Sequence, residues 1–346
     1  MTAGESAIGD VDATVALAST YIDARKHAHA ERLLRQALTA SPDSAVLLAN
    51  LARVQVLTDD YASAVHTAHS ALTISPEYGF AMRMYAVALD GAGWLSQALW
   101  VAWRGATTHP NDPLAHYVYA ELLMNAARPQ EALFVVHEAL RLEPANPNSH
   151  VLRGRILARL GRVDESTASY EEALRLDPGH AAAVNNIAVN RLARSRWSTA
   201  LRGFLGAARL DPDLGDLARR NIGLALAKPL RLATAGVLLL AALVIAGIPD
   251  PQRGSVTAGH RIMVGLCTLA LVAGLVWLSR IVPLRTWRSV LRVRSPLVLR
   301  LGLIVCAIPV GVLATLGRGG AVTSVAAGLL LFAALAVAFI GRFTGD

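Results

Sequence analysis

Histidine is the residue type in this sequence that could most readily hold a metal ion, and there are ten of them. His27 and His29 are two residues apart, and His66 and His69 are three residues apart. A helical zinc-protease site needs two histidines four residues apart with a glutamate beside the first. Neither pair meets that requirement, so the sequence predicts no metal site.

Sequence motifs for a catalytic nucleophile or a phosphate-binding loop are also absent. The two cysteines, Cys267 and Cys306, lie inside apolar runs, which excludes a disulfide framework. The segment LGRGG at 316–320 lacks the Lys-Ser/Thr pair of a phosphate-binding loop, and no GxSxG nucleophile elbow occurs. We therefore expect neither a catalytic site nor a cofactor in this chain.

A strict repeat organises the first three fifths of the chain. Prolines recur every 34 residues, at Pro42, Pro76, Pro110, Pro144, Pro178 and Pro212. Each follows a run such as ALRLEP or ALRLDP, and a proline there stops one helix before the next begins. The period divides the chain into six units, 11–44, 45–78, 79–112, 113–146, 147–180 and 181–214.

Small residues occupy positions 8, 20 and 27 of every unit. Two antiparallel helices can cross closely only where such side chains allow ridges to enter grooves. These positions hold Ala18, Ala52, Ala86, Ala120, Gly154 and Ala188, then Ala30, Ala64, Ala98, Ala132, Ser166 and Ala200, then Ala37, Ala71, Gly105, Ala139, Ala173 and Ala207.

With proline at position 32, this pattern resembles the tetratricopeptide repeat, a helix–turn–helix unit of 34 residues. The resemblance implies an all-α solenoid of six repeats, whose ends need covers. We expect residues 215–229 to form a capping helix and linker that ends at Pro229. Residues 1–10 are expected to be a disordered leader.

The resemblance also implies a binding groove lined by the first helix of each repeat, chiefly at positions 2, 5, 9, 12 and 13. The polar residues at these positions are Arg53, Arg83, Asp90, Glu121, Asn125, Asn148, Arg155, Arg159 and Asn185. Four arginines favour a peptide or protein partner with acidic groups, because guanidinium pairs bidentately with carboxylate. A groove that is merely solvated is the alternative.

Three tryptophans cluster in the third unit, at Trp94, Trp100 and Trp103. Tryptophan is enriched where binding energy is concentrated, so this cluster is a second candidate contact surface. Packing between repeats is the alternative for the same residues.

Charge is distributed very unevenly along the chain. The formal net charge is +8, but residues 1–227 carry −2 and residues 228–346 carry +10. The basic excess therefore lies in the apolar part of the chain, where it indicates membrane topology rather than nucleic-acid binding.

Four uncharged apolar runs follow Lys228, at 232–249, 262–279, 301–317 and 319–341. Each is close to the ~20 residues that cross a bilayer as a helix. We therefore expect a membrane domain over residues 230–346. Mean hydropathy of +0.42 for the whole chain agrees with this.

Lysine and arginine set the orientation of such spans. Eleven of them lie before the first span, between the second and third, or after the fourth, against three in the other two connections. The bias predicts a protein of a bacterial inner membrane or a plasma membrane. The repeats and both termini are expected on its cytoplasmic side. The N-terminus shows no signal-peptide pattern, which agrees.

One connection has the composition of an interfacial helix. Residues 284–294 combine Trp287 with Arg285, Arg288 and Arg292, which would contact anionic lipid headgroups. An ordinary basic loop is the alternative.

These features favour a membrane-anchored scaffold for protein–protein interaction that assists the assembly or regulation of a membrane complex. One alternative is an accessory subunit of a transporter or small pore, with the repeats as a regulatory module. Another is an enzyme subunit whose active site lies on a partner. Small residues in the spans also permit homo-oligomer formation.

Overall fold

The computed structural model describes residues 3–211, 215–247, 258–281, 295–317 and 320–343. These residues form sixteen α-helices and no strand, which confirms the all-α prediction. Their contacts divide the chain into two compact units, Met1–Pro178 and Gly179–Asp346.

The first unit consists of five antiparallel helix pairs. The helices are α1 (Ala3–Asp23), α2 (His27–Ala40), α3 (Ala45–Leu57), α4 (Tyr61–Ile74), α5 (Gly79–Gly91), α6 (Leu95–Thr108), α7 (Pro113–Asn125), α8 (Pro129–Leu142), α9 (Pro147–Arg159) and α10 (Val163–Leu176). Each helix packs on the next along the chain, as in a solenoid.

Helix starts in this unit follow from local chemistry. Ser44, Asp60 and Asn146 each accept a hydrogen bond from a backbone N–H in the first turn of α3, α4 and α9, respectively. The helices α7, α8 and α9 begin with proline, whose missing N–H costs nothing in a first turn.

The small residues of the repeat lie where the helices of each pair cross. All eighteen are buried except Ala37, which is half-buried. Ser166 replaces the usual alanine at position 20 of the fifth repeat, and its hydroxyl donates to the Gly154 carbonyl over 2.7 Å. The one polar group at these crossings is therefore satisfied.

The beginning of the chain differs from the prediction. Helix α1 starts at Ala3, so residues 3–10 are helical rather than a disordered leader. The segment contains no proline and continues directly into the helix of the first repeat, which allows the helix to extend by two turns.

The second unit contains α11 (Ala181–Ala193), α12 (Trp197–Leu210), α13 (Gly215–Ala246), α14 (Ala258–Ile281), α15 (Ser295–Thr315) and α16 (Gly320–Phe343). Helix α13 packs against α12 and against each of α14, α15 and α16. Its buried side chains join those of the other helices in one apolar core.

Helix α13 contradicts the expected break at Pro229. The helix continues through this proline, so the predicted capping helix and first span form one element. Ile222 and Leu226 before the proline and Leu230 after it are each at most 2% exposed. Burial on both sides holds the helix together although the proline removes one backbone hydrogen bond.

Among the described residues, four helices have the length and composition to cross a membrane, over Arg220–Ala246, Gly259–Arg280, Leu297–Thr315 and Val322–Ile340. The third begins earlier than the uncharged run that predicted it, because Pro296 favours a helix start there. Consequently Arg300 lies within this helix, and its side chain is only 3% exposed.

Candidate peptide-binding groove

The first helices of the five pairs in unit Met1–Pro178 lie on the inner side of the stack. Helices α1, α3, α5, α7 and α9 contact one another in succession. The second helices of successive pairs have no contact of similar extent within the described residues. Closer approach on one side curves a stack toward that side. We call the inner surface, with the eight predicted residues from Arg53 to Arg159, the groove face.

Arg83 on the groove face is fixed by contacts within the chain. Its guanidinium forms an ion pair with Asp112, and it lies 5.7 Å from the centre of the Phe80 ring. Asp112 also accepts a hydrogen bond of 2.9 Å from the backbone N–H of Leu114, which caps α7. Arg83 therefore ties α5 to the start of α7.

Arg155 is also paired, with a carboxylate in the preceding repeat. Its Nη1 lies 3.0 Å from Oε1 of Glu121, and both residues stand at position 9 of their units. The ring of Tyr117 is close to this pair. Burial raises the pKa of Tyr117 to about 12, with Glu121 acting in the same direction and Arg155 opposing it. Its hydroxyl stays protonated at neutral pH.

Asn125 and Asp90 form the third contact between repeats on this face. The Asn125 amide donates to Oδ2 of Asp90 over 2.7 Å. Asn125 remains exposed, so its amide oxygen is accessible to a ligand.

Two groove arginines have no ion pair or hydrogen bond with the described residues. Arg53 is half-buried and Arg159 is exposed. Asp112 and Glu121 form ion pairs with two of the four groove arginines, and Asp90 adds a third negative charge on the groove face. The face therefore carries little net positive charge, less than the four arginines alone suggest. Asn148 is exposed on α9.

Asn185 has a different setting from the other predicted groove residues. It belongs to the unit Gly179–Asp346 and is only 3% exposed. Its side-chain oxygen accepts a hydrogen bond of 3.0 Å from the Asn221 amide, which links α11 to α13. The residue is held inside the fold and offers almost no surface to a ligand.

The tryptophan cluster lies on the surface of the third repeat. Trp94, Trp100 and Trp103 are each about half exposed, and Arg104 lies over the Trp100 ring at 5.7 Å. Phe134 on α8 is 76% exposed and is a further candidate for contact with a partner. The sequence did not predict it, because the position of a residue in the repeat does not determine how exposed its side chain is. These aromatic side chains are outside the groove face as defined above.

The histidines have structural roles where their contacts are described. His116 and His150 stand at the same position of successive repeats, and each ring Nε2 lies 2.9 Å from a loop carbonyl, of Pro110 and Pro144 respectively. Within the part of the chain that the structure describes, no three His, Cys, Asp or Glu side chains come together as metal ligands. The predicted lipid-contacting residues Arg285, Trp287, Arg288 and Arg292 lie outside the described residues.

Comparison with known proteins identifies the repeat. Residues 15–78 and 117–181 match the tetratricopeptide repeat family model. Among solved structures, the chain is similar to one from the Cut9–Hcn1 hetero-tetramer of the APC/C, with 16% identity and a TM-score of 0.55. That match covers 62% of this chain and only 43% of the other.

Two bacterial proteins are also similar. PilF of Pseudomonas aeruginosa matches with 19% identity over 60% of this chain and 94% of its own, at a TM-score of 0.48. A thermophilic repeat protein of Thermus thermophilus matches with 21% identity over 55% and 98%, also at 0.48. No curated protein sequence matches the chain. The chain contains tetratricopeptide repeats, followed within the described residues by four apolar helices, which confirms the resemblance inferred from the sequence.

Proposed function

We propose that this protein is a membrane-anchored scaffold whose groove face binds a peptide segment of a partner protein. Tetratricopeptide repeats are in general protein–protein interaction modules without catalytic activity. The observation that carries the proposal is the exposed pair Asn125 and Arg159, which stand at position 13 of successive repeats. Arg159 has no ion-pair partner among the described residues, and Asn125, which donates to Asp90, keeps its amide oxygen for a ligand.

The chemistry of the pair suits an extended peptide. An asparagine amide both donates and accepts, as peptide bonds require. Arg159 offers a fork of donors to a carboxylate. Arg53 adds a second guanidinium without an ion-pair partner among the described residues. The partner segment therefore carries at least one acidic side chain, rather than the many that four free arginines would attract.

Anchoring is supported by the outward surface of the last four helices. Large apolar side chains on them are more than half exposed, among them Leu232, Leu239, Ile262, Leu266, Leu269, Leu329, Phe332, Leu335 and Phe339. A water-soluble protein rarely exposes so many neighbouring apolar side chains. A lipid bilayer removes them from water, so the four helices fix the repeats at a membrane, where they assist the assembly or regulation of a membrane complex.

The groove proposal predicts a specific loss of partner. The double variant Arg53→Glu/Arg159→Glu reverses both guanidiniums that lack a partner, and two charge-assisted contacts are replaced by repulsion. We expect at least about a tenfold loss of the crosslinked partner, which corresponds to about 1.4 kcal/mol. The measurement is crosslinking in native membranes followed by quantitative mass spectrometry on the full chain.

The matched control is Arg202→Glu/Arg209→Glu, which makes the same charge change at two exposed arginines of the second helix α12. The control should retain the partner. A third variant, Glu121→Gln, releases Arg155 from its ion pair and should increase capture of an acidic segment. Equal capture by the two charge-reversed proteins would refute the groove, and no gain with Glu121→Gln would refute an acidic partner.

A further inference from the structure

An apolar cleft lies between α13 and α14 in the unit Gly179–Asp346. It has a volume of about 320 Å³ and is lined mainly by apolar side chains. We call it the lateral cleft. Its walls include Leu232 and Gly236 of α13 and Cys267 and Gly274 of α14, and Trp197 of α12 lines it as well. Leu232 is 63% exposed, so the cleft opens to the outside of the helices.

The space exists because glycine, which has no side chain, stands at the cleft wall. A Cβ atom placed on Gly274 would find no heavy atom within 4 Å. By contrast, a Cβ on Gly236 would lie 3.1 Å from Cδ2 of Leu271. Gly236 thus lets α14 approach α13, whereas Gly274 faces empty space. The volume is at the low end of the ~300–1,000 Å³ of small-molecule pockets, enough for one slender chain.

The length of the cleft matches one leaflet of a bilayer. The lining extends from Pro229 to Gly236 on α13 and from Cys267 to Leu278 on α14. At 1.5 Å per residue these distances are about 10 and 16 Å. Half of a hydrocarbon core is about 15 Å. The cleft therefore spans a single leaflet rather than the whole membrane.

One end of the cleft has the side chains of a membrane interface. The rings of Trp197 and Trp277 meet edge to face with their centres 4.9 Å apart. Tryptophan is enriched at the level of lipid headgroups. Exposed cations flank the same end in sequence: Lys228 and Arg231 surround Pro229, and Arg280 follows Trp277 by one turn. Lys228 donates to Oγ of Ser195 over 2.9 Å and keeps two further N–H donors.

We infer that the lateral cleft binds one acyl chain of an anionic phospholipid, whose phosphate is held by Lys228, Arg231 and Arg280. The apolar walls accommodate the chain, the tryptophan pair marks the level of the glycerol backbone, and the cations attract the charged headgroup. This inference rests on the proposed membrane anchoring. It assigns the lipid to the leaflet in which Trp277 lies.

The test uses the full chain in vesicles of phosphatidylcholine with a phosphatidylglycerol probe that carries a photoreactive group on its acyl chain. Crosslinks are located by mass spectrometry. We expect labelling of residues 267–278 at least fivefold above the exposed face of α16 around Phe332, which reports lipid in general contact. Unlabelled phosphatidylglycerol should compete at a concentration at which phosphatidylcholine does not.

The variant Gly274→Phe fills the cleft and should abolish the excess labelling of α14. Gly302→Phe is its control, because Gly302 of α15 is exposed and also has no neighbour within 4 Å of a Cβ. Both substitutions replace a helical glycine, so helix propensity changes in the same direction. A second cleft variant, Ala270→Phe, should reproduce Gly274→Phe, and thermal melting of all three confirms that each is folded.

Several outcomes overturn the inference. Labelling of α14 that survives both cleft variants, or that stays at the level of α16, removes the site. Equal competition by phosphatidylcholine removes the anionic headgroup. A dimer of the purified chain that Gly274→Phe dissociates assigns the cleft to a second copy instead. Anchoring is measured separately by resistance of the wild-type chain to alkaline extraction from membranes, so its failure is distinguishable from loss of the lipid site.

Discussion

At the scale of single residues, the fifth repeat adjusts to a large aromatic side chain at a position where the first four repeats have leucine, alanine or valine and the sixth has phenylalanine. Position 24 holds Tyr170 in this unit, and its ring is only 2% exposed. A Cβ on Gly154 would lie 2.4 Å from Cε1 of that ring. The other five units have alanine at the position of Gly154. A methyl group at Gly154 would therefore overlap the Tyr170 ring where that ring lies in the structure.

This contact makes Gly154→Ala destabilising, although alanine is the better helix former. The added methyl group overlaps the Tyr170 ring, and overpacking of this kind costs about 1–3 kcal/mol. We expect increased amide hydrogen exchange across α9 and α10, measured on the full chain in detergent.

Gly105→Ala provides the matched control. It adds the same methyl group to a buried helical glycine, but the nearest atom, Cβ of Met82, would be 3.8 Å away. That variant should gain up to about 1 kcal/mol from helix propensity. If Gly154→Ala slows amide hydrogen exchange in α9 and α10 as much as Gly105→Ala slows it in α6, the added methyl group does not clash with the Tyr170 ring.

The sequence predicts some of these residue contacts and not others. Residues at the same position of successive repeats are neighbours, so the period of 34 alone places Glu121 beside Arg155. Arg83 and Asp112 are 29 residues apart, outside the period, because the pair joins a first helix to the loop before the next one. Counting groove arginines without these pairs overestimates the charge that a partner meets.

At the scale of elements, α13 shows where local signals are overridden. A proline in a helical pattern normally marks a boundary, because it lacks an N–H and clashes with the preceding turn. Here Leu226 and Leu230 on either side of Pro229 are fully buried in the core of their unit. Packing energy of this kind cannot be deduced from a single sequence. The helix pairs were therefore predictable from the repeat, whereas the continuous helix α13 was not.

A continuous α13 can be measured as a distance. Spin labels at Leu217 and Leu239, which are both exposed, are separated by 22 residues of helix, or about 33 Å. Pulsed electron resonance on a chain with Cys267→Ser and Cys306→Ser should give a narrow distribution near this value. Pro229→Ala should leave it in place, because the helix is already formed. A broad distribution well below about 30 Å would show that the helix breaks at the proline.

At the scale of the whole molecule, the repeats and the last four helices differ in which side chains they bury and which they expose. The repeats bury small residues at helix crossings and leave a polar surface with balanced charge. The last four helices instead expose large apolar side chains, and the segment 228–346 carries the entire basic excess in these helices and their connections. Periodicity and hydropathy therefore predicted the architecture, while the lateral cleft was not predictable, because it depends on which glycines face neighbours and which face space.

The basic excess leads to a prediction about which side of the membrane each segment occupies. Eleven lysines and arginines lie on one side of the four uncharged apolar runs and three lie on the other, so the repeats should be cytoplasmic. In a chain with Cys267→Ser and Cys306→Ser, a cysteine introduced at Ser96, exposed on α6, should react with a membrane-impermeant maleimide only after cells are opened. A cysteine at Ser255, between the first two spans in sequence, should react in intact cells. The reverse labelling would invert the topology and move the groove to the outer side, whereas protection of both sites in intact cells would show that the first apolar helix does not cross the membrane.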